Sequence, residues 1–454
     1  MKAAIYTLGC RVNQYESSAM AELLRINGYE IVSLNNSPDV IIINSCTVTA
    51  ESDRKSRQHL HSLRKKNPDA IIILAGCMSQ AFPEKASELD AADIILGNSY
   101  YGDLCGIINE YMHCRSPLVR IREHKTGERF MPLPLCTFGE KTRAYIKIED
   151  GCNRFCTYCI IPKARGCVRS KNLDDIAAEA RYLAENGYRD ITLTGINLTA
   201  FGTETGLNIC DAIECVSNVG GIERIRLGSL EPDDFDDGIV SRLSKNEKLC
   251  PHFHLSLQSG CDSVLKRMNR RYDTSFYAGL CEKLRKTFDG CSITTDIMVG
   301  FPGESEKNFE ESLSFAKNIG FASAHVFAYS RRSGTPADKM PMQISNAEKA
   351  RRSRLMIAAT QESRDGFLSE MVGNVYEVLA ESQLDNKYAS EPVGPLCSFK
   401  SNSTSEVNQD MHVYSGLTRN YTEVHFLSSG DIQGNTVNVK VTGHKESYLL
   451  GHIV

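Results

Sequence analysis

Three cysteines within eight residues, Cys152, Cys156 and Cys159, place the strongest constraint on how this chain folds. They follow an apolar, strand-like run at residues 144–148, so we expect one loop at a strand end to present three thiols. Thiolates hold the corner irons of an iron–sulfur cube, and these short spacings bring the three sulfurs onto one concave loop. No fourth local cysteine has ligand spacing, which leaves one iron open for chemistry.

A zinc knuckle is the alternative interpretation of these cysteines. Structural zinc takes four ligands, usually as two close pairs, and no second pair lies nearby. The CxxxCxxC pattern instead resembles the signature of radical S-adenosylmethionine (SAM) enzymes. In that family the open iron binds the amino and carboxylate groups of SAM. An electron from the cluster then cleaves SAM into methionine and a 5′-deoxyadenosyl radical.

Length and composition narrow the class of protein. A chain of 454 residues is too long for one ordinary core, so two to four domains are expected. No apolar run approaches membrane-spanning length and the first residues lack a signal-peptide pattern, so we expect a cytoplasmic protein with no membrane partner. In a reducing compartment, 17 cysteines indicate metal binding or catalysis rather than disulfides. The net charge of −4 gives no general indication of nucleic-acid binding.

The first segment, residues 1–135, alternates apolar runs with helical patterns and predicts a parallel sheet covered on both faces. Cys10, Cys46 and Cys77 each follow one of its first three strong strand candidates. Because the carboxyl ends of parallel strands meet at one edge, these cysteines are expected to converge there. Gly9 and Gly76 would let the backbone approach a bulky ligand closely. The pattern predicts a second three-cysteine cluster; three unrelated turn cysteines are the alternative.

Four motifs together resemble the methylthiotransferases over nearly the whole chain: residues 7–16, 44–49, 76–80 and 149–162. The resemblance implies two [4Fe-4S] clusters and two SAM molecules, one to methylate a sulfide of the auxiliary cluster and one to give the radical. It also implies an electron donor such as a flavodoxin or ferredoxin. The family commonly carries tyrosine after Ile161-Pro162, where this chain has Lys163.

The second segment, residues 140–365, contains six strand candidates separated by helical patterns. Six units are too few for a closed eight-stranded barrel, so a partial (βα)6 radical SAM barrel is predicted, with an open side for a large substrate. Polar side chains follow the strands, as catalytic groups do in such barrels. By resemblance, four of them line the SAM pocket, and the alternative for each is a strand-end cap: Asn197, Ser229, Glu231 and Asp296. No catalytic side chain is assigned.

The third segment, residues 370–454, has five short β segments at turn-like spacing, which predict a small β-barrel of OB-like type. It resembles the TRAM domain with which methylthiotransferases hold RNA. Its five Lys and Arg against ten Asp and Glu leave a purely structural barrel as an alternative. Tyr414 and Tyr421, if exposed, would stack on bases. Phosphate contacts are then expected partly from basic helices at residues 54–66 and 266–271.

The substrate prediction depends on residues 8–13 and 46–49, which resemble the branch acting on N6-threonylcarbamoyladenosine next to the tRNA anticodon. The expected reaction is methylthiolation at C2 of that adenine. Two sibling branches stay open, one acting on isopentenyladenosine in tRNA and one on an aspartate of a small-subunit ribosomal protein. Outside the enzyme class, an iron–sulfur scaffold or an RNA-binding module stays open.

Overall fold

The N-terminal part is a six-stranded parallel sheet with five helices, in a computed structural model that describes residues 1–139, 141–384 and 412–454. The strands are β1 (Lys2–Thr7), β2 (Glu30–Ile31), β3 (Val40–Ser45), β4 (Ile71–Gly76), β5 (Ile94–Leu96) and β6 (Leu118–Arg120), in the order β2-β1-β3-β4-β5-β6. The helices are α1 (Arg11–Ile26), α2 (Ala50–Lys66), α3 (Cys77–Ala81), α4 (Pro83–Ser87) and α5 (Leu104–Cys114).

The central strand β3 shows why this sheet is buried on both faces. Val40 and Ile42 pack with residues of α1 and α5, whereas Ile41 and Ile43 pack with residues of α2. All four side chains are fully buried. Since successive side chains of a strand point to opposite faces, a continuous apolar run must be covered on both sides. The predicted doubly covered parallel sheet is confirmed.

The central part contains two parallel sheets, β11-β10-β7 and β12-β13-β14-β15, the antiparallel pair β8-β9, and seven α-helices. The strands are β7 (Arg143–Lys147), β8 (Glu149–Asp150), β9 (Arg169–Ser170), β10 (Asp190–Thr194), β11 (Arg224–Leu227), β12 (Ser229–Leu230), β13 (His252–Leu255), β14 (Ser292–Val299) and β15 (Ser323–Ala328). The helices are α6 (Ile161–Arg165), α7 (Leu173–Glu185), α8 (Ile209–Ser217), α9 (Asp237–Leu243), α10 (Asp262–Arg267), α11 (Thr274–Thr287) and α12 (Glu306–Ile319).

The two central sheets continue one another because only Gly228 separates β11 from β12. A bridge between Ile225 and Leu249 also joins β11 to the segment before β13. Six consecutive strand positions result, each near its predicted range, which confirms the partial (βα)6 barrel.

The C-terminal part begins with the long helix α13 (Asn346–Met371) and forms a closed five-stranded barrel, as predicted. Its strands are β16 (Val375–Gln383), β17 (His412–Thr418), β18 (Glu423–Ser428), β19 (Thr436–His444) and β20 (Leu449–Ile453), in the order β16-β17-β18-β20-β19. Residues 385–411 of the predicted third domain lie outside the described residues. Because α13 crosses the predicted boundary between residues 365 and 370, the three domain ranges stay a prediction.

The other two parts pack against the partial barrel. Helix α3 packs on α6 through Cys77, Ala81, Ile160 and Ala164. On the opposite flank, Arg226 donates hydrogen bonds of 3.0 Å to two backbone carbonyls of the C-terminal barrel. In the described ranges, no helix combines the length and apolar character needed to span a membrane.

Candidate active site

The loop after β8 presents the first cysteine set. Gly151 has φ +89°, and a Cβ there would lie 2.9 Å from the Gly166 carbonyl oxygen, so the chain needs glycine here. The Cys152 amide donates to the Gly166 carbonyl at 3.0 Å, and the Cys159 amide donates to the Cys156 carbonyl at 2.9 Å. These bonds fold the loop back on itself, which leaves Cys156 and Cys159 within electrostatic range of Cys152.

The thiols of this loop are held in a dry environment. Burial raises the pKa of Cys152, and the neighbouring Cys159 and Cys156 raise it further. Burial raises the pKa of Cys159 to about 12. A metal that binds Cys152 and Cys159 as thiolates would therefore displace their protons.

Arg270 connects this loop to a predicted SAM-pocket residue. Its guanidinium lies 3.4 Å from the Cys156 sulfur and forms an ion pair with Glu231, with Nη1 and Oε1 3.2 Å apart. The Arg270 side chain is only 3% exposed. The expectation that residues 266–271 contact tRNA phosphates is therefore wrong for Arg270, whereas Lys266 and Arg271 are exposed.

The other predicted SAM-pocket residues divide between a backbone turn and a cavity. The Asn197 amide donates to Oε2 of buried Glu149 at 2.7 Å, which fixes the turn after β10. Ser229 and Asp296 both line a cavity of about 650 Å³. His254 lies beside Asp296, with His254 Nε2 3.4 Å from Asp296 Oδ2. Asn197 and Glu231 are not among the residues that line this cavity, and the SAM assignment stays a prediction.

The second cysteine set lies at the carboxyl edge of the N-terminal sheet. Cys10 precedes α1, Cys46 follows β3, and Cys77 begins α3. Gly9 has φ +104°, and a Cβ there would lie 2.7 Å from Cys46 Cβ and 3.1 Å from its sulfur. Burial raises the pKa of Cys77 to about 12, and Cys10 and Cys46 raise it too. The fold therefore brings three sequence-distant thiols within electrostatic reach of one another.

Both sets fit iron–sulfur clusters by donor chemistry. Each offers three thiols, the soft ligands that such clusters take, beside a glycine whose missing Cβ leaves space. Within the part of the chain that the structure describes, no three or more His, Cys, Asp and Glu side chains are grouped to hold a metal ion. The role of the six cysteines as cluster ligands therefore stays a prediction.

A buried ionic network lies between the two sets. Arg165 Nε donates to the Cys77 sulfur at 3.2 Å, and its Nη2 donates to Glu16 at 2.9 Å. Lys147 Nζ donates to both Glu16 and Asp150 at 2.7 Å. Sequence patterns did not indicate these residues, because Arg165 and Glu16 are 149 positions apart. The sequence around Arg165 does not indicate which acidic residue it pairs with.

Lys163, where the family commonly has tyrosine, lies at the same junction. Its Nζ is 5.4 Å from the centre of the Phe82 ring, which belongs to the N-terminal part. The ring face stabilises the added positive charge through a cation–π interaction. Lys163 therefore contributes a contact between the partial barrel and the N-terminal part.

The cavity receives side chains from all three parts of the molecule. Cys10 and Arg11 come from the N-terminal part, Ser229 and Asp296 from the partial barrel, and Tyr421 from the C-terminal barrel. Its volume of about 650 Å³ is in the range of small-molecule sites.

The two tyrosines considered for base stacking differ in position. Tyr414 is buried in the core of the C-terminal barrel beside Phe426, so its predicted stacking role is wrong. Tyr421 lines the cavity, and its ring already stacks on His252 with centroids 4.6 Å apart.

Comparisons with known proteins define the class. The model of the Radical SAM superfamily matches residues 146–316, and that of Uncharacterized protein family UPF0004 matches residues 2–97. The structure of the radical S-adenosylmethionine methyltransferase TsrM from Kitasatospora setae is similar at a TM-score of 0.55 and 14% identity. That similarity covers 74% of this chain and 77% of TsrM, and concerns the fold alone. Fold and cysteine loop together define a radical SAM enzyme.

Relatives in sequence narrow the class further. The threonylcarbamoyladenosine tRNA methylthiotransferase MtaB of Bacillus subtilis is 35% identical over 99% of this chain and 96% of its own length. A tRNA-2-methylthio-N(6)-dimethylallyladenosine synthase of Syntrophomonas wolfei is 34% identical over 100% and 98%. The chain belongs to the radical SAM methylthiotransferase family.

Proposed function

We propose that this enzyme adds a methylthio group to C2 of N6-threonylcarbamoyladenosine next to the anticodon of tRNA. The observation that carries the proposal is the placement of two three-cysteine sets in adjacent domains. Helix α3, which begins with Cys77, packs on α6, which follows Cys159. Cys10 of the second set lines the cavity that Ser229 and Asp296 share. The similarity to MtaB proteins of three bacteria supports the choice of substrate.

The six cysteines would hold the two [4Fe-4S] clusters, three at each: Cys152, Cys156 and Cys159 in the barrel, and Cys10, Cys46 and Cys77 in the N-terminal part. When bound, the first cluster supplies the electron that cleaves SAM and the second supplies the sulfur that is transferred. Arg270 and Arg165 each place a positive guanidinium against a ligand sulfur. Both arginines stabilise thiolate charge, and hydrogen bonds to cluster sulfurs tune reduction potential.

The partners follow from this chemistry. The substrate is tRNA, and a flavodoxin or ferredoxin would deliver the electron. A cytoplasmic location follows from a tRNA substrate. Phosphate contacts would come from α2, where Lys65 and Lys66 are exposed, since the C-terminal barrel is acidic.

In the test, anaerobically reconstituted enzyme is incubated with SAM, a reductant and one of three substrates. These are an anticodon stem-loop with threonylcarbamoyladenosine, the same stem-loop with isopentenyladenosine, and a small-subunit ribosomal protein. Mass spectrometry should detect methylthio incorporation in the first. Incorporation only in one of the other two would refute the substrate while leaving the reaction class intact. A Cys152→Ala enzyme is the control for cluster-dependent product.

Isopentenyladenosine is the second candidate substrate. The relative from Syntrophomonas wolfei carries that activity in its name and matches nearly as well as MtaB. The two substituents differ in charge, because the threonylcarbamoyl group ends in a carboxylate and the isopentenyl group is apolar. The charge of the cavity wall therefore bears directly on the choice between them.

A further inference from the structure

Arg11 is a cavity arginine that the reaction described above does not use. It begins α1 directly after Cys10 and lines the cavity. Its Nη2 donates to Tyr421 Oη at 2.5 Å, and its guanidinium carbon lies 5.4 Å from the centre of that ring. Among the described residues, no carboxylate lies within ion-pair distance of Arg11. Since arginine has five N–H donors, most of its bonding capacity faces the cavity unused.

The other charged groups of the cavity have partners of their own. Arg143 forms an ion pair with Glu381. Glu423 lies 2.7 Å from His425, and Asp296 lies 3.4 Å from His254. Arg364 donates to the Ala322 carbonyl at 3.1 Å. Arg11 thus contributes a positive charge that no acidic side chain of the cavity balances.

Two neighbouring groups respond to this positive charge. Burial opposes ionisation of Tyr421, but the charges of Arg11, Arg143 and Arg226 outweigh it, and the pKa of the phenol is lowered. Burial lowers the pKa of His252 well below its usual value, and Arg226 and Arg11 add to the effect. The lowered pKa of Tyr421 shows that the neighbouring arginines favour negative charge at this wall, beside the Arg11 guanidinium.

We propose that Arg11 binds the carboxylate of the amino-acid substituent on N6 of the target adenine and thereby selects it over an uncharged N6 group. The inference rests on the proposed function, because it presumes a base held in this cavity. Only N1 separates C2 from C6 in adenine, so a group on N6 lies close to the reacting carbon. Arg11 is next to Cys10, so the carboxylate site adjoins the sulfur source. A guanidinium binds a carboxylate through two parallel hydrogen bonds.

A backbone phosphate of the same tRNA is a second source of an oxyanion. Two stem-loops distinguish the substituent carboxylate from a backbone phosphate. One carries threonylcarbamoyladenosine and the other carries its threonine methyl ester. The ester removes the carboxylate charge and leaves every phosphate. We would measure kcat/KM for methylthiolation of both stem-loops, together with their affinity for enzyme lacking SAM by fluorescence anisotropy.

Wild-type enzyme should prefer the acid over the ester by roughly ten- to a hundredfold, as expected for a hydrogen bond to a charged group. Arg11→Gln should reduce that preference to nearly one by slowing the acid alone, in affinity as well as in kcat/KM. Arg25→Gln, which removes an exposed arginine from the same helix, should keep the full preference.

Two results would overturn the assignment: a preference that survives in Arg11→Gln, or an equal loss for acid and ester, which indicates a phosphate contact. If the glutamine variant lost its helical circular dichroism, Arg11→Lys would replace it. Lysine keeps the charge without the two-pronged geometry, so the preference should fall only in part. Wild-type enzyme that modifies only isopentenyladenosine would instead refute the proposed function.

Discussion

At the scale of single residues, the structure depends on a buried carboxylate that sequence patterns did not reveal. Glu16 and Arg165 are both fully buried and pair with each other, and Lys147 also donates to Glu16. Burial opposes the charge of Glu16, but Arg165 and Lys147 outweigh it and lower the pKa of this carboxyl. Burying charges is costly, so removing one partner leaves an uncompensated charge and costs more than the pair itself contributes.

Glu16→Gln should destabilise the protein at pH 7 by about 3–5 kcal/mol, because Arg165 loses its closest carboxylate. The folded-state pKa of Glu16 lies below its usual value of 4.5, so its contribution is present above that pH and lost as the pH falls below it. The difference from wild type should therefore shrink as the pH falls below 4.5. Urea unfolding followed by circular dichroism measures it, since the chain has no tryptophan.

Glu22→Gln is the matched control, because Glu22 lies on the same helix in a largely exposed pair with Arg25. Its effect should stay below about 1 kcal/mol at every pH. A Glu16→Gln protein with unchanged unfolding at pH 7 would contradict the role of the network.

At the scale of elements, similar sequence patterns serve different purposes. The basic run at residues 349–352 is a structural element of α13, since Arg351 and Arg352 pair with Glu306 and Glu348. The exposed end of α2 keeps Lys65 and Lys66. Charge runs alone do not separate these cases, because the partners of Arg351 include a residue of α12, which only packing brings near.

The two cysteine sets should account for all of the iron that the protein binds. After anaerobic reconstitution, iron should approach about eight per chain, as two cubes require. Replacing Cys152, Cys156 and Cys159 by Ala should leave about half, whereas Ala at the buried Cys210 and Cys281 should change nothing. Colorimetric iron analysis with Mössbauer spectroscopy measures this, and saturation of intact protein near four irons would refute two clusters.

The second cysteine set should be separable from the first in activity. Without Cys10, Cys46 and Cys77, the enzyme should still release 5′-deoxyadenosine from SAM and transfer no methylthio group. Chromatography measures the amounts of 5′-deoxyadenosine and of methylthiolated nucleoside. Equal loss of both activities, with circular dichroism unchanged, would count against separate roles.

At the scale of the whole molecule, side chains from three parts of the fold line one cavity, and we expect charged side chains outside it to contact the tRNA. The acidic C-terminal barrel is a poor surface for phosphates, which places the expected contacts on α2. Reversing Lys65 and Lys66 to Glu should weaken tRNA binding several-fold and flatten its dependence on salt, because fewer counterions are released. Fluorescence anisotropy across a salt series measures both quantities.

Reversal of Lys283 and Lys286 on α11, whose side chains pair with nearby acids, is the control and should leave the salt slope unchanged. An unchanged slope after reversal of Lys65 and Lys66 would show that the RNA binds elsewhere.

The sequence by itself determined the elements and their class. Uninterrupted apolar runs such as residues 40–43 require cover on both faces, and three cysteines in one loop predict a common ligand. Strand ends were predictable because side-chain alternation and turn residues are local properties. The same reasoning predicted that Cys10, Cys46 and Cys77 share an edge, since parallel strands end together.

Only the tertiary structure decided which residues act together. Arg165 reaches Glu16 across 149 positions, and Arg11 meets Tyr421 across 410. The tertiary structure also distinguished Tyr414, which is buried in the barrel core, from Tyr421, which lines the cavity. The physical reason is that charge and burial depend on what packs nearby in three dimensions. A local pattern shows that a residue is polar or apolar, and it does not show which partner neutralises it.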